Sequence, residues 1–176
     1  ALRQAVLAVS SGMVQTALVV GVEKASDTTG SSAEKALATS LDADYEQVHG
    51  ATPAAMAALV MQRYMHEYGA SIDDFAGFSV NAHANGSKNP LAMYRNKLRA
   101  ERFGAAPQIA TPVSLFDAAP AGDGAAAVIV TSTERAADMV AQPVQIIGSG
   151  AATDTLAVHD RNDVLWLTAV AKSAQR

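Results

Sequence analysis

Two uninterrupted apolar runs constrain the fold of this chain more than any other feature. The first is ALVVGV at 17–22, and the second is AAAVIV at 125–130, which follows the small-residue stretch DAAPAGDG. Apolar runs of this length, bounded by polar residues, are typical of strands buried on both faces. A helical pattern at 2–11, with Gly12 as its C-cap, precedes the first run. Helix, turn and buried strand together favour a parallel βαβ arrangement, so the sequence predicts an α/β fold.

The segments between and after these runs predict further elements. Thr52 and Pro53 begin a helix that ends at Gly69, because Thr is a good N-cap and Pro fits the first helical position. Ser71, followed by acidic residues, begins a second helix that ends at Gly86. Residues 25–50 lack a clear period and are expected to be irregular. The remaining predictions are a basic amphipathic helix at 91–103, extended chain at 107–117, a helix from near Glu134, a strand at 143–150 and a helix from Asp163 to the end.

Composition excludes several functional classes. The chain of 176 residues is 49% hydrophobic and 17% charged, which is enough apolar material for a core. A net charge of −4 without a basic stripe argues against nucleic-acid binding. No apolar run reaches the length of a membrane span, and residues 1–13 are too polar for a signal peptide and are interpreted as a helix. The absence of cysteine excludes disulfides, zinc-thiolate sites and thiol nucleophiles within these residues and favours a cytoplasmic setting.

Chemistry is indicated at two stretches. In DGAAAVIV, Asp123-Gly124 predicts a tight turn with positive φ at the glycine. The small residues that follow admit either a ligand or another backbone at close range, or simply a strand entry packed under a helix. In NAHANGSKNP, His83 and Asn85 stand at a helix end, where a lone histidine is more often a structural or surface residue than a catalyst. His66 and His159 are interpreted as surface or loop residues, and no spacing predicts a metal site.

Five stretches, taken in their order and spacing, resemble the thiolase superfamily. They are ALRQAVLAVSSG with ALVVGVEKASD, then YMHEYG, VNAHANGSKNPLAMYR, PQIATPVSLFDAAPAGDGAAAVIVTSTERA and PVQIIGSG. The resemblance covers nearly the whole chain. It is closest in kind to the sterol-carrier-protein-2-type (non-specific lipid-transfer-type) thiolases and acetyl-CoA acetyltransferases, of which this chain would be an internal part.

The resemblance implies a five-layer αβαβα thiolase-like fold with a mostly helical loop domain inserted into its first half. Residues 1–25 would be the second part of the N-terminal half, and residues 26–110 the loop domain. Residues 111–141 would return to the N-terminal half, and residues 142–176 would begin the C-terminal half. The flat stretch before the second apolar run would then lie where strand, loop domain and the pantetheine arm of coenzyme A crowd together.

The resemblance also implies a reaction. Members of the superfamily carry out a Claisen condensation, or its thiolytic reverse, on coenzyme A thioesters, which are substrates, and no cofactor is implied. A cysteine thiolate, activated by a histidine, takes up the acyl group. That cysteine is expected just before Ala1, so no catalytic residue is expected within these 176 residues, and the segment alone is expected to be inactive.

Candidate substrate-binding residues are carried over from the matching motifs. They are His83, Asn85 and Asn89 in the loop domain, and Asp123 and Gly124 in the returning segment. The same motifs contain Glu23 and Lys24, which would form a structural turn, and Pro90, Asp117 and Pro120. Gly122 departs from the pattern, since many relatives have Ser there, so a side-chain bond to ligand at that position is in doubt.

Three functions remain open on this resemblance. The first is an acyl-CoA C-acyltransferase of lipid metabolism. The second is a thiolase-fold aldolase that cleaves a branched or steroid-like acyl-CoA together with an OB-fold partner protein. The third is a non-catalytic thiolase-like subunit. The residue before Ala1 separates the first from the others, and a homodimer or higher homo-oligomer is expected in all three.

Overall fold

The computed structural model describes residues 1–28 and 30–175. Thr29 and Arg176 lie outside the described residues, so the predicted loop domain and the predicted last helix each include one position that is not described. The chain divides into two compact units. The sheet unit comprises residues 1–29, 121–154 and 167–176, and the helical unit comprises residues 30–120 and 155–166. The predicted boundary at residue 26 and those at 110 and 141 remain predictions.

The sheet unit is a pair of strands with a helix packed on it. Its elements are α1 (Leu2–Ser10), β1 (Thr16–Glu23), β4 (Gly124–Thr131), α5 (Thr133–Met139) and α6 (Thr168–Ala174). The two predicted strands are confirmed, but β1 and β4 pair antiparallel, from Thr16 opposite Thr131 to Glu23 opposite Gly124. The sequence favours a parallel neighbour for β1, and none is found among the described residues. About a hundred residues separate the two strands, which leaves the chain free to return in the opposite direction.

One face of this strand pair is exposed. Directly opposed residues share a face, and Leu18 stands opposite Ile129. Leu18 is 66% exposed and Ile129 65%, and Val20 and Val22 on the same face are 58% and 75% exposed. The other face contacts α1. The expectation that β1 is buried on both faces is therefore wrong for this chain, because α1 covers only one side of a two-stranded sheet.

The helical unit begins with a helix that the sequence analysis did not predict. Its elements are α2 (Ser31–Ala38), α3 (Pro53–Tyr68), α4 (Ala76–Gly86), β2 (Gln108–Ala110) and β3 (Val113–Ser114). The helix α3 is confirmed: the Thr52 hydroxyl accepts a bond from the Ala55 N–H at 3.2 Å, and Gly69 ends it with φ of 64°. The helix predicted from Ser71 is also confirmed, as a 3-10 turn at Ile72–Phe75 that leads into α4.

The helix predicted at 91–103 is wrong. The segment is irregular apart from a 3-10 turn at Ala100–Arg102. Two tertiary contacts explain this: the Asn96 carbonyl accepts a bond from the side chain of His83, and Phe103 is fully buried. These contacts hold the segment in a path that a continuous helix would not follow. The extended chain expected at 107–117 is found in part, as the β2–β3 hairpin that packs on α3.

Two predictions near the C-terminal end are also wrong. Residues 143–150 form no strand, and Val144 and Ile147 are each 93% exposed. A strand needs a neighbour, and β1 and β4 pair only with each other among the described residues. The last helix begins at Thr168 rather than Asp163, because the Asp163 carboxylate accepts a bond from the Leu165 N–H and forms a local turn instead.

No helix within residues 1–28 and 30–175 has both the length and the apolar character that a membrane crossing requires.

Candidate functional site

An open cleft of about 470 Å³ lies in the helical unit beside α4. One wall is α4 itself, and the others are the start of the irregular segment and the stretch that follows the β2–β3 hairpin. Most of its lining is apolar or aromatic. The lining residues are Phe78, Ser79, Ala82, His83, Met93, Tyr94, Phe116, Asp117, Ala118, Ala119 and Pro120. A mostly apolar cleft with a few polar groups is the usual form of a small-molecule site.

His83 is the one ionisable side chain of α4 that lines the cleft. Its Nδ1 lies 3.0 Å from the Asn96 carbonyl oxygen. Because a carbonyl can only accept, Nδ1 carries the proton in this contact, and in the neutral ring Nε2 is left as an acceptor. Tyr94 is stacked on the ring with centroids 6.4 Å apart, and Phe116 meets it edge-on at 5.8 Å. The contacts fix both the tautomer and the plane of His83.

The far wall of the cleft is held by short polar contacts. The Ser79 hydroxyl, on buried α4 surface, donates to the Phe116 carbonyl at 2.8 Å. The Asp117 carboxylate accepts from the Ser114 N–H at 2.7 Å and from the Ser114 hydroxyl at 2.8 Å. Asp117 therefore closes a turn within its own segment and positions the wall that carries Phe116.

Asn85 and Asn89 lie away from the cleft. Asn85 is exposed on α4 with a long contact of 3.5 Å to Asn81, and Asn89 accepts from the Leu91 N–H at 2.9 Å in a local turn. The structure thus brings His83, Asp117 and Pro120 to one site and places the two asparagines elsewhere in the same unit. Their predicted role in binding remains a prediction.

Asp123 and Gly124 lie in the sheet unit. The Asp123 carboxylate accepts from the Ser26 hydroxyl at 2.6 Å and from the Ser26 N–H at 2.9 Å, which ties the chain after β1 to the start of β4. These bonds hold the pKa of Asp123 below its usual value, and the bond from the Ser26 hydroxyl has the larger effect and the bond from the Ser26 N–H the smaller. The predicted positive φ at Gly124 is wrong: this glycine is the first residue of β4, and it pairs with Glu23. The start of β4 is held to the chain after β1 by the Asp123 carboxylate rather than by a tight turn at Gly124.

The other motif residues have local partners. At the end of β1, Glu23 accepts from the Lys24 N–H at 3.0 Å, and the Lys24 ammonium pairs with Asp27 at 2.6 Å. His66 is exposed on α3, as predicted. His159 lies in a short 3-10 turn, 3.3 Å from Asp160.

A second, larger open cavity of about 810 Å³ lies in the helical unit beneath the 3-10 turn that precedes α4. Asp73 and Glu101 are its charged lining residues, and its other lining residues are small or apolar. Its lining contains no histidine and none of the candidate substrate-binding residues. The cleft at His83 is therefore the better candidate, although it is smaller. Among the described residues no group of three or more potential metal ligands comes together.

Sequence reasoning found His83 but missed the aromatic side chains around it. Phe78 precedes His83 on α4, whereas Tyr94 and Phe116 come from separate irregular segments. The aromatic residues make up only 5% of the chain, and three of them lining one cleft is the feature that a closer reading could have used.

Comparison with known proteins identifies the class of this chain. It is 37% identical, over its whole length, to an acetyl-CoA acetyltransferase from Methanocaldococcus jannaschii, of which it spans 45%. It is 38% identical over 115 residues to a 17-hydroxy-3-oxo-4-pregnene-20-carboxyl-CoA lyase from Mycobacterium tuberculosis, matching 64% of this chain and 30% of the lyase. No protein-family model matches.

A solved structure agrees with these relatives. The Ltp2-ChsH2(DUF35) aldolase superposes with a TM-score of 0.76 at 27% identity, over 93% of this chain and 44% of the aldolase chain. The chain is therefore a mixed α/β protein homologous to the thiolase-like acyl-CoA enzymes. Within that class, the relative matched over the entire chain is an acetyl-CoA acetyltransferase, and the chain spans less than half of that relative's length.

Proposed function

We propose that this chain contributes the acyl-CoA-binding part of a thiolase-like acyl-CoA C-acyltransferase, which condenses acyl-CoA thioesters or cleaves 3-oxoacyl-CoA with coenzyme A. The observation that carries the proposal is the 37% identity to an acetyl-CoA acetyltransferase across the whole chain. The cleft at His83 supports it, since an apolar and aromatic lining suits an acyl or pantetheine chain. No cysteine stands among the 176 residues; that the nucleophilic cysteine of the whole protein stands just before Ala1 is part of this proposal and rests on the resemblance to thiolases.

The finer features of the class are part of the same proposal. The whole protein would have the five-layer αβαβα arrangement with a helical loop-domain insertion, would act in lipid metabolism in the cytoplasm, and would be a homodimer or higher homo-oligomer. The exposed apolar face of β1 and β4 is compatible with further layers of such a fold, because an apolar sheet face is normally buried against another layer of secondary structure.

A second function is favoured by two of the comparisons. The lyase from Mycobacterium tuberculosis matches 64% of this chain, and the Ltp2-ChsH2(DUF35) aldolase superposes on 93% of it. They support a thiolase-fold aldolase that cleaves a branched or steroid-like acyl-CoA with an OB-fold partner. A non-catalytic subunit would share the cleft without performing either reaction.

One experiment separates these functions. The polypeptide is purified from its source, its intact mass and N-terminal sequence are determined, and it is assayed for thiolysis of acetoacetyl-CoA. We expect a mass well above 18.1 kDa, a cysteine immediately before Ala1 and thiolysis that is lost when that cysteine is changed to serine. Another residue at that position, with retro-aldol cleavage that depends on a copurifying small protein, would establish the aldolase instead. If the protein shows neither thiolysis nor retro-aldol cleavage, the result would support the non-catalytic subunit.

A further inference from the structure

The cleft at His83 has one methionine in its lining, Met93. The chain has six methionines and no cysteine, so the thioethers are its side-chain sulfur groups that peroxides oxidise. Met93 is 57% exposed, and the other exposed methionines, Met13 and Met139, belong to the sheet unit. The remaining methionines lie on α3 and are half-buried: Met56, Met61 and Met65. Met93 is therefore the exposed methionine of the helical unit, and it stands at the cleft.

The backbone on either side of Met93 is held by hydrogen bonds. Before it, the Ala92 N–H donates to the Asn89 carbonyl at 3.1 Å and closes a turn. After it, the Asn96 carbonyl accepts the bond from the His83 side chain at 3.0 Å. These bonds keep the backbone of Met93 beside the cleft, while its unbranched side chain keeps three rotatable bonds. The sulfur is thus held near one wall of the cleft and is reachable from solvent.

Oxidation of Met93 changes the character of that wall. The thioether is apolar, whereas the sulfoxide is polar and its oxygen accepts hydrogen bonds. Two donors on α4 are already engaged. The Ser79 hydroxyl donates to the Phe116 carbonyl at 2.8 Å, and the protonated Nδ1 of His83 donates to a backbone carbonyl at 3.0 Å. Neither donor is left for a sulfoxide oxygen, and a polar oxygen placed against an acyl chain without a hydrogen bond is unfavourable.

We propose that Met93 is a redox-sensitive modification site, and that its oxidation by hydrogen peroxide weakens the binding of an acyl chain in the cleft. This inference rests on the proposed function. The sulfur lone pair of Met93 attacks one peroxide oxygen, and the O–O bond breaks. The departing hydroxide takes the proton of the transferred oxygen and leaves as water. Sulfur loses two electrons and the peroxide gains them, so methionine sulfoxide and water are the products.

The modification is reversible. A dithiol reductant removes the sulfoxide oxygen as water and becomes a disulfide, which returns the thioether. Because the chain has no cysteine, that dithiol belongs to a separate reductase rather than to these residues. Met93 would therefore lower the affinity of the cleft while peroxide is present and restore it afterwards.

The test compares the full chain with two variants, Met93→Leu and Met13→Leu. Leucine is close to methionine in volume and has no sulfur. Met13 is 79% exposed in the sheet unit, so its replacement removes an exposed thioether away from the cleft. Each protein is treated with hydrogen peroxide, the reaction is stopped with catalase, and the sulfoxide at each methionine is quantified by peptide mass spectrometry. The dissociation constant for hexanoyl-CoA is measured by calorimetry, and each protein is compared with its own value before treatment.

We expect Met93 and Met13 to be oxidised at least about three-fold faster than the half-buried methionines of α3. After treatment, the wild type and Met13→Leu should bind hexanoyl-CoA about five-fold or more weakly, and Met93→Leu should change by less than about two-fold. Methionine sulfoxide reductases of both stereospecificities, with dithiothreitol, should restore the wild-type affinity. Bound hexanoyl-CoA should slow the oxidation of Met93 and leave that of Met13 unchanged.

Three results would overturn this inference and leave the proposed function intact, because the untreated protein binds hexanoyl-CoA in each. The first is an equal loss of affinity in Met93→Leu and the wild type, which would assign the effect to another methionine. The second is an unchanged affinity after complete conversion of Met93. The third is a Met93 that resists peroxide as long as the methionines of α3 do. An untreated wild type that does not bind hexanoyl-CoA would contradict the proposed function as well.

Discussion

The helical unit and the sheet unit of this chain differ in how they are held together. In the helical unit a few side chains are buried and decisive: Phe103 is fully buried, and Val113 is 7% exposed. In the sheet unit the strands are held by backbone pairing and by the Asp123–Ser26 contact, while Leu18 and Val22 stand largely exposed. Side-chain burial thus stabilises the unit that contains the cleft, and backbone hydrogen bonds dominate in the other.

The largest expected effect is at Phe103. Phe103→Ala removes a fully buried ring and should destabilise the helical unit by about 3–5 kcal/mol, enough to release the irregular segment that precedes it. Phe78→Ala is the control, because Phe78 is 79% exposed and its loss should change stability by less than about 0.5 kcal/mol. Denaturant unfolding followed by circular dichroism measures both. An equal loss in the free energy of unfolding for the two variants would contradict the claim that burial of Phe103 stabilises the helical unit.

The same substitution in a strand of each unit tests the comparison directly. Val113→Thr buries a hydroxyl in the β2–β3 hairpin and should cost about 1–3 kcal/mol. Val20→Thr lies on the exposed face of β1, where Val20 is 58% exposed, and should change stability by less than about 0.5 kcal/mol. Thermal melts of the two variants give the answer. A cost at Val20 as large as at Val113 would mean that the sheet face is covered in solution.

Two glycines give effects of opposite sign. Gly69 has φ of 64°, and Gly69→Ala should destabilise by about 1–2 kcal/mol, because a side chain is strained in the left-handed region. Gly21 lies in β1 with nothing within 4 Å of an added Cβ, and Gly21→Ala should stabilise by about 0.5–1 kcal/mol. Melting temperatures that move in the same direction for both variants would contradict the backbone geometry described for one of them.

The smallest effect concerns pH and the Asp123–Ser26 contact. The bonds from Ser26 lower the pKa of Asp123 below 3.8 in the folded chain. A lowered folded pKa means that the carboxylate stabilises the fold above the ordinary value, and that this contribution is lost as pH falls through the folded pKa. Ser26→Ala should return the pKa of Asp123 towards 3.8, measured by carbon NMR titration. The pKa of Asp74, lowered by Ser71 in the helical unit, should not move; a shift of both would implicate a general change in the fold.

What the sequence could predict depended on whether the deciding interactions are local. Thr52 and Gly69 bound α3 through contacts within a few residues, so its limits were predictable. The segment at 91–103 has a helical pattern, but His83 and the burial of Phe103 decide its path, and those partners are set by the tertiary fold. The strand expected at 143–150 depends on a neighbouring strand, which its own residues cannot specify.

The candidate site was also predictable only where its residues belong to one local motif. His83 was found from its motif, whereas Tyr94 and Phe116 reach the cleft from other segments. The separation of Asn85 from His83 follows from helix geometry alone, since residues two apart on an α-helix point in directions about 200° apart. The predicted role of Asn85 in binding therefore concerns a different face of α4 from the one that lines the cleft, and it remains a prediction.

The most direct test of the central claim, that the cleft at His83 binds an acyl-CoA, is photoaffinity labelling. The full chain is irradiated with a benzophenone-bearing acyl-CoA, digested and mapped by mass spectrometry, with and without excess coenzyme A. We predict labels on residues 78–94 and 116–120 that excess coenzyme A suppresses. Labelling confined to the cavity at Asp73, or to the exposed face of β1 and β4, or unaffected by coenzyme A, would contradict the account.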